Sequence, residues 1–207
     1  LPEGITEVQA AAVLLQGLTA DYLIHDVLPV LPGMRVAVLA AAGGVGRLLT
    51  RMLVHRGVQV IAVASSQQKQ DICLACGADI AVGYDNWHTY AAGSDIVFDS
   101  VGSTLLQSLE AVKEGGRVVL FGMSGGTIPP VNPADFLLKS SGILGADLSS
   151  YLTSREERQL RADRLFGLIK AGHISLPPIT EFPLSEGAKA HRLLDYRELS
   201  GKIVLIP

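Results

Sequence analysis

The chain has almost no cysteine, no surplus of either charge and no long apolar run, and each shortage removes a class of function. Only two of its 207 residues are cysteines, which excludes the disulfide frameworks that staple small secreted domains. Cys73 and Cys76 form a C-x-x-C before Gly77. A redox or metal role would need a thioredoxin-like context or a second ligand pair, and neither accompanies them. They read as the lining of a helix end in a protein kept reduced, so a cytoplasmic location is expected. Lys and Arg total 17 against 20 Asp and Glu, a net charge of −3, and no basic block stands out. This argues against a nucleic-acid partner and leaves room for a local phosphate site. The apolar runs fall far short of a membrane span, and no charged segment leads into a cleavable apolar one, so no membrane partner is expected. His25, His55, His88, His173 and His191 show no H-x-H or H-E-x-x-H spacing, and no metal site is expected from them.

What the chain does have is apolar residues, 48% against 18% charged, a balance that suits a sheet buried on both faces. Its length allows one large domain or slightly more. The organising stretch is Val36–Gly46, V-A-V-L-A-A-A-G-G-V-G. Val36–Ala40 reads as a buried strand, and Val45, Leu48, Leu49, Met52 and Leu53 then recur at helical spacing to about His55. Between them stands Ala41-x-Gly43-x-x-Gly46, the turn that opens a βαβ dinucleotide-binding unit with alanine in place of its first glycine. A bare Gly43 lets backbone N–H groups approach a pyrophosphate, and Gly46 lets helix and strand pack closely. The helix N-terminus offers those phosphates unpaired donors and partial positive charge. A tight turn in some other α/β domain is the competing reading.

Before this unit, Thr6-x-x-Gln9 is a capping box, Ala10–Leu15 continue a helix, and Gly17–Ala20 interrupt it ahead of a second short helix at Asp21–Leu28. After it, Gln59–Ala64 is a second strand ending at Ser65-Ser66, about 20 residues past the glycine turn. An NAD-specific protein places an acid there for the ribose 2′-OH. Here two hydroxyls stand with Lys69 one turn on, which is what a 2′-phosphate requires and points to NADPH. A helix N-cap with a solvated lysine is the plainer alternative. Gln67–Cys76 reads as a helix, Ile80–Val82 as a strand, and Asp85–Ser94 as too short for a long helix. Asp95–Asp99 is a strand, Ser103–Val112 a helix stopped by Gly115-Gly116, and Arg117–Phe121 a strand. The fold class is therefore α/β: a Rossmann doubly wound parallel sheet of about six strands with helices on both faces. Ligands in such sheets bind at the carboxyl ends of the strands, which collects the loops at 41–46, 65–69, 100–102 and 122–126. Beyond a proline-rich loop at Thr127–Pro133, Gly142–Leu148 reads as an edge strand, Ser154–Lys170 as an amphipathic helix, and Ile179–Pro183 as an extended stretch. Ser185–Leu194 reads as a helix and Lys202–Ile206 as a last strand.

Several of these motifs, in this order, resemble quinone oxidoreductases of the zeta-crystallin type, within the medium-chain dehydrogenase/reductase superfamily. They are L-P-E-G-I-T at the start, Gln16–Ala20, Ala40–Gly46, Phe98–Gly102, Pro183–Glu186 with Ala190-His191, and Gly201–Pro207. The resemblance implies an upstream barrel-like catalytic domain of roughly a hundred residues ahead of Leu1. Residues 1–33 would then lead from that domain, 34–150 would form the NADP-binding Rossmann domain, and 151–207 would pack back on the missing part. It implies Thr19 at the nicotinamide end and Gly43, Gly44 and Val45 on the pyrophosphate. Ser65, Ser66, Lys69 and Tyr84 would surround the 2′-phosphate, and Ser100, Val101, Phe121, Gly122 and Ser124 would line the ribose–nicotinamide side. Tyr84 also reads as a packing aromatic and Phe121 as the end of a core strand; the resemblance lets Lys202 approach the phosphates, but a solvated turn lysine is the preferred reading. The Tyr84–Asp95 segment is shorter than in relatives. In zinc alcohol dehydrogenases of the superfamily a metal cysteine precedes the threonine by four residues, where this chain has Leu15, so a zinc-free site is implied.

The activity so implied is NADPH-dependent reduction of a quinone or enone, without a nameable catalytic acid and inactive without the upstream domain. An apolar edge strand near 142–148, whose first half no charge or proline blunts, also implies a homodimer through that edge. The alternative is an NADP(H)-binding module or an enoyl-reductase domain of a larger synthase with no activity of its own. A methyltransferase would want an acid where Ser65-Ser66 stand.

Overall fold

The computed structural model describes residues 1–195 and 201–207. Six parallel strands form one sheet: β1 (Arg35–Val38), β2 (Gln59–Val63), β3 (Ile80–Val82), β4 (Ser94–Asp99), β5 (Val112–Leu120) and β6 (Gly142–Gly145). Their spatial order is β3-β2-β1-β4-β5-β6, the doubly wound arrangement in which the switch in strand order falls between β1 and β4. Alternate side chains sort to opposite faces. Val36, Val38, Val60 and Phe98 join one core, while Ala37, Leu39, Ile61 and Val97 join the other. The first core is closed by α1 (Glu7–Tyr22), α2 (Gly44–His55), α3 (Gln67–Ala75) and α7 (Arg155–Lys170). The second is closed by α4 (Trp87–Tyr90) and α5 (Leu105–Ala111). The short helix α6 (Ala134–Lys139) precedes β6. A separate two-stranded parallel sheet, β7 (Ile179–Pro183) and β8 (Lys202–Ile206), is bridged by α8 (Gly187–Asp195).

Two expectations give way to the structure, and a third feature is one the sequence did not signal. The first concerns Gly17, which does not break the opening helix. α1 runs unbroken from its Thr6/Gln9 capping box to Tyr22 and continues into a π-turn at Leu23–Val27. A side chain at Gly17 would collide with Leu165 of α7, so glycine here allows two helices to touch. Arg161 and Arg164 of α7 bind Asp26 and Asp21 beside that contact. The second concerns Gly115-Gly116, which lie inside β5, because the chain is already extended at Val112. The pairing jumps from Ser94↔Val112 to Ile96↔Arg117, so the extra residues form a bulge with Gly115 at φ +76°. The third is α6, which falls in a stretch with no helical signal. The segment 85–94 holds only the single turn α4, anchored by the buried Trp87, whose Nε1–H donates to Gln107 Oε1 at 3.1 Å.

Candidate functional site

The site grows from the end of β1. The strand stops at Val38 and the chain reverses sharply into α2. Ala40 sits at φ +49°, a left-handed conformation that costs a side-chain-bearing residue about 1–3 kcal/mol. Two hydrogen bonds fix it: its N–H donates to the Tyr84 hydroxyl at 3.0 Å, and its carbonyl accepts the Gly43 N–H at 2.8 Å. A Cβ on Gly46 would lie 2.5 Å from the Ala40 carbonyl oxygen and 2.6 Å from Ala41 Cα. No side chain fits there. Gly43 is the N-cap of α2 and brings no capping side chain, so the first amides of the helix remain available to an anion.

Two side chains lean over this turn. A Cβ on Gly44 would lie 2.5 Å from Lys202 Nζ and 2.8 Å from Gln16 Cδ. The reading of Lys202 as a solvated turn lysine is therefore corrected. Pairing of β8 with β7, in register from Ile179↔Lys202, delivers it to the glycine turn. Burial and then the Arg47 charge hold its pKa below the usual lysine range, and no carboxylate among the described residues forms an ion pair with it. The Gln16 Oε1 atom is buried without a partner. Positive charge at a helix N-terminus, with no carboxylate partner among the described residues, is an arrangement completed by an anionic ligand, while the Gln16 oxygen beside it calls for a donor.

Beside the turn, between α2 and α3, lies a cavity of about 500 Å³ whose lining includes Arg47, Arg51, Lys69 and Lys202. Lys69 Nζ donates to Ser65 Oγ at 3.1 Å, and Ser66 Oγ caps α3 by accepting the Lys69 N–H at 3.4 Å. Ser65 and Lys69 thus stand together at the end of β2, while the Ser66 hydroxyl serves the helix. Tyr84 lies under the glycine turn, and burial pushes its phenol pKa up. Burial also pushes the Cys73 thiol up to about 12, so it is an inert core thiol.

Toward β4, β5 and β6 lies a second cavity of about 530 Å³, walled by Thr19, the turn Gly43–Gly46, Ser100 and Phe121. The turn that carries Ser100 is held by Asp99, which the sequence shows only as part of the Phe98–Gly102 motif. The buried Asp99 carboxylate accepts from Val101 N, Gly102 N, Thr104 Oγ1 and Ser108 Oγ at 2.7–2.9 Å. It thereby shapes the Ser100–Gly102 turn. A carboxylate closing an apolar strand just before Ser-x-Gly is the signal that was there to be read. The next strand-end loop is laced to this one: Ser100 O accepts both Ser124 N–H and Ser124 Oγ–H at 3.1 Å. A Cβ on Gly122 would lie 2.7 Å from the same carbonyl oxygen. Val101, Gly122 and Ser124 therefore shape the wall behind Ser100. Thr19 Oγ1 donates to Leu15 O at 2.8 Å and keeps its lone pairs for a ligand. Tyr22 and Asp147 also line this cavity, and no local pattern marks them. Among the described residues no three metal-ligating side chains converge.

This geometry has counterparts. Residues 44–164 match the zinc-binding dehydrogenase family. A probable quinone oxidoreductase of Schizosaccharomyces pombe is 38% identical over 95% of the chain and 62% of that protein. A quinone oxidoreductase of Pseudomonas aeruginosa is 36% identical over 100% of the chain and 67% of that protein. The crystal structure of Escherichia coli quinone oxidoreductase complexed with NADPH superposes with a TM-score of 0.89 at 32% identity, over 100% of the chain and 67% of that structure. The chain thus spans about two thirds of the length of the proteins it matches. Over that span it belongs to the zinc-binding dehydrogenase family and, within the medium-chain dehydrogenase/reductase superfamily, to the quinone oxidoreductases.

Proposed function

We propose that the chain is the cofactor-holding part of a cytoplasmic, zinc-free reductase of quinones or enones that uses NADPH. The observation that carries this reading is the Gly43–Gly46 turn with Lys202 above it and Ser65 and Lys69 beside it, a cationic cradle with no acid at the end of β2. The fit is chemical: the α2 amides and Lys202 would hold the pyrophosphate, and Ser65 and Lys69 the 2′-phosphate. Thr19, Ser100 and Phe121 would border the nicotinamide. Bound there, NADPH would supply a hydride from nicotinamide C4. The chain orients that ring and shields it from water on one side. The free, buried cysteines support a reducing compartment, and no helix among the described residues is long and apolar enough to cross a membrane.

Lys69→Ala tests the phosphate assignment. A charge-assisted contact contributes about 1.5–3 kcal/mol, so NADPH binding is expected to weaken about ten- to a hundredfold while NADH binding hardly changes. Titration calorimetry with both dinucleotides checks this. Equal losses for both would mean that Lys69 supports the fold or the shared pyrophosphate, and the NADPH preference would lose its basis.

The same reading includes a homodimer through β6. That strand is hydrogen-bonded to β5 alone among the described strands, and Leu137 and Leu138 on the adjoining α6 are 83% and 90% exposed. An apolar strand edge next to bare leucines is a surface that pairing would cover. Sedimentation equilibrium is expected to show a dimer that Ile143→Lys disperses. A monomer at high protein concentration would contradict it. Residues 151–207 would meet the upstream catalytic domain on the side of the β7–β8 pair away from the first core, which Val204 already joins.

A further inference from the structure

Asp147 is used by none of the cofactor contacts proposed above. It follows β6, at the end of the sheet remote from Ser65 and Lys69, where on that reading the nicotinamide faces its acceptor. Its carboxylate accepts the Ser149 N–H at 3.1 Å and the Ser149 hydroxyl at 2.7 Å. These bonds hold the carboxyl below the usual range, so it is ionised at neutral pH. Its charge reaches into the cavity. Tyr22, only 1% exposed and stacked on Tyr151 at 4.8 Å, is held well above the usual phenol range first by burial and then by Asp147. Among the described residues that line this cavity, Asp147 carries the only charge, while Arg47, Arg51, Lys69 and Lys202 line the cavity on the phosphate side. We infer that Asp147 makes the acceptor end select uncharged quinones or enones and reject acceptors that bear a carboxylate or sulfonate. An anionic acceptor entering there sheds part of its hydration, meets a like charge and finds no cation in return among the described residues that line this cavity. Repulsion of this kind separates substrates of similar shape. Because Asp147 is exposed to solvent, salt weakens the discrimination.

The inference rests on the proposed function, and the test separates the two. The protein joined to its upstream domain is assayed with NADPH, 1,2-naphthoquinone and 1,2-naphthoquinone-4-sulfonate, and the ratio of kcat/KM for sulfonate over parent is compared between wild type and Asp147→Asn. The anionic quinone is intrinsically more reactive, so only the change in ratio is informative. The ratio is expected to rise about two- to fivefold in Asp147→Asn at low salt, as for an exposed charge pair. In wild type it should rise toward the variant's value as salt is added. A ratio unmoved by both the substitution and salt overturns the inference and leaves the reductase reading intact. Failure to reduce either quinone, in protein that binds NADPH, overturns both.

Discussion

Gly46→Val is expected to abolish NADPH binding and to lower stability by about 2–4 kcal/mol, the scale of forced overpacking. The reason is what a side chain would meet. Its Cβ would stand 2.5 Å from the Ala40 carbonyl oxygen and 2.6 Å from Ala41 Cα, both backbone atoms of a turn already held at positive φ. Neither can move without releasing the bonds to Tyr84 and Gly43. The start of α2 must back away, and the amides that would face the pyrophosphate leave with it. Gly44→Ala is the control. There the Cβ meets the far ends of Lys202 and Gln16, which can swing aside, so the fold should survive and NADPH binding should weaken only partly. Thermal melts with dinucleotide titration separate the two: the valine variant should melt lower by roughly 5–15 °C, the alanine variant within a few degrees of wild type. Equal behaviour of the two variants would contradict this account of the turn.

The second large effect concerns chemistry. The 207-residue chain alone is expected to bind NADPH yet reduce 1,4-benzoquinone or 9,10-phenanthrenequinone hardly above background. The cradle, the strand-end loops and the Ser65–Lys69 pair all lie within it. Among the described residues the acceptor side is walled by Thr19, Phe121 and the residues after β6. Misplacing a reacting group by about 1 Å costs on the order of 10²-fold, and an acceptor lacking the wall that an upstream domain would add should lose more. Joining the chain to an upstream domain should restore turnover by a hundredfold or more on the same grounds. Turnover by the isolated chain at the rate of the joined protein would refute the two-domain reading.

Much of this was legible in residues that act locally. β2 and β3 were expected within a residue of where they lie, because apolar runs bounded by Gly or Ser leave little choice. The glycine turn, its helix and the Ser65–Lys69 pair were legible for the same reason. What escaped depends on contacts between distant parts of the chain. Gly17 looks the same whether it breaks a helix or admits a neighbour, and only Leu165, far along the chain, decides. Lys202 looks like any lysine opening a strand until the β7–β8 pairing carries it over Gly44. Asp147 and Tyr22 meet only because the loop after β6 and the last turns of α1 line one cavity. Local pattern names the elements, and their assembly decides which side chains share a cavity.

A crystal structure of the 207-residue chain grown with NADPH tests the central claim most directly. The account predicts the pyrophosphate on the amides of the Gly43–Gly46 turn with Lys202 Nζ against it, the 2′-phosphate between Ser65 and Lys69, and the nicotinamide ring between Thr19 and Phe121. A dinucleotide bound away from the turn, or seated with its nicotinamide toward Ser65 and Lys69, would contradict it.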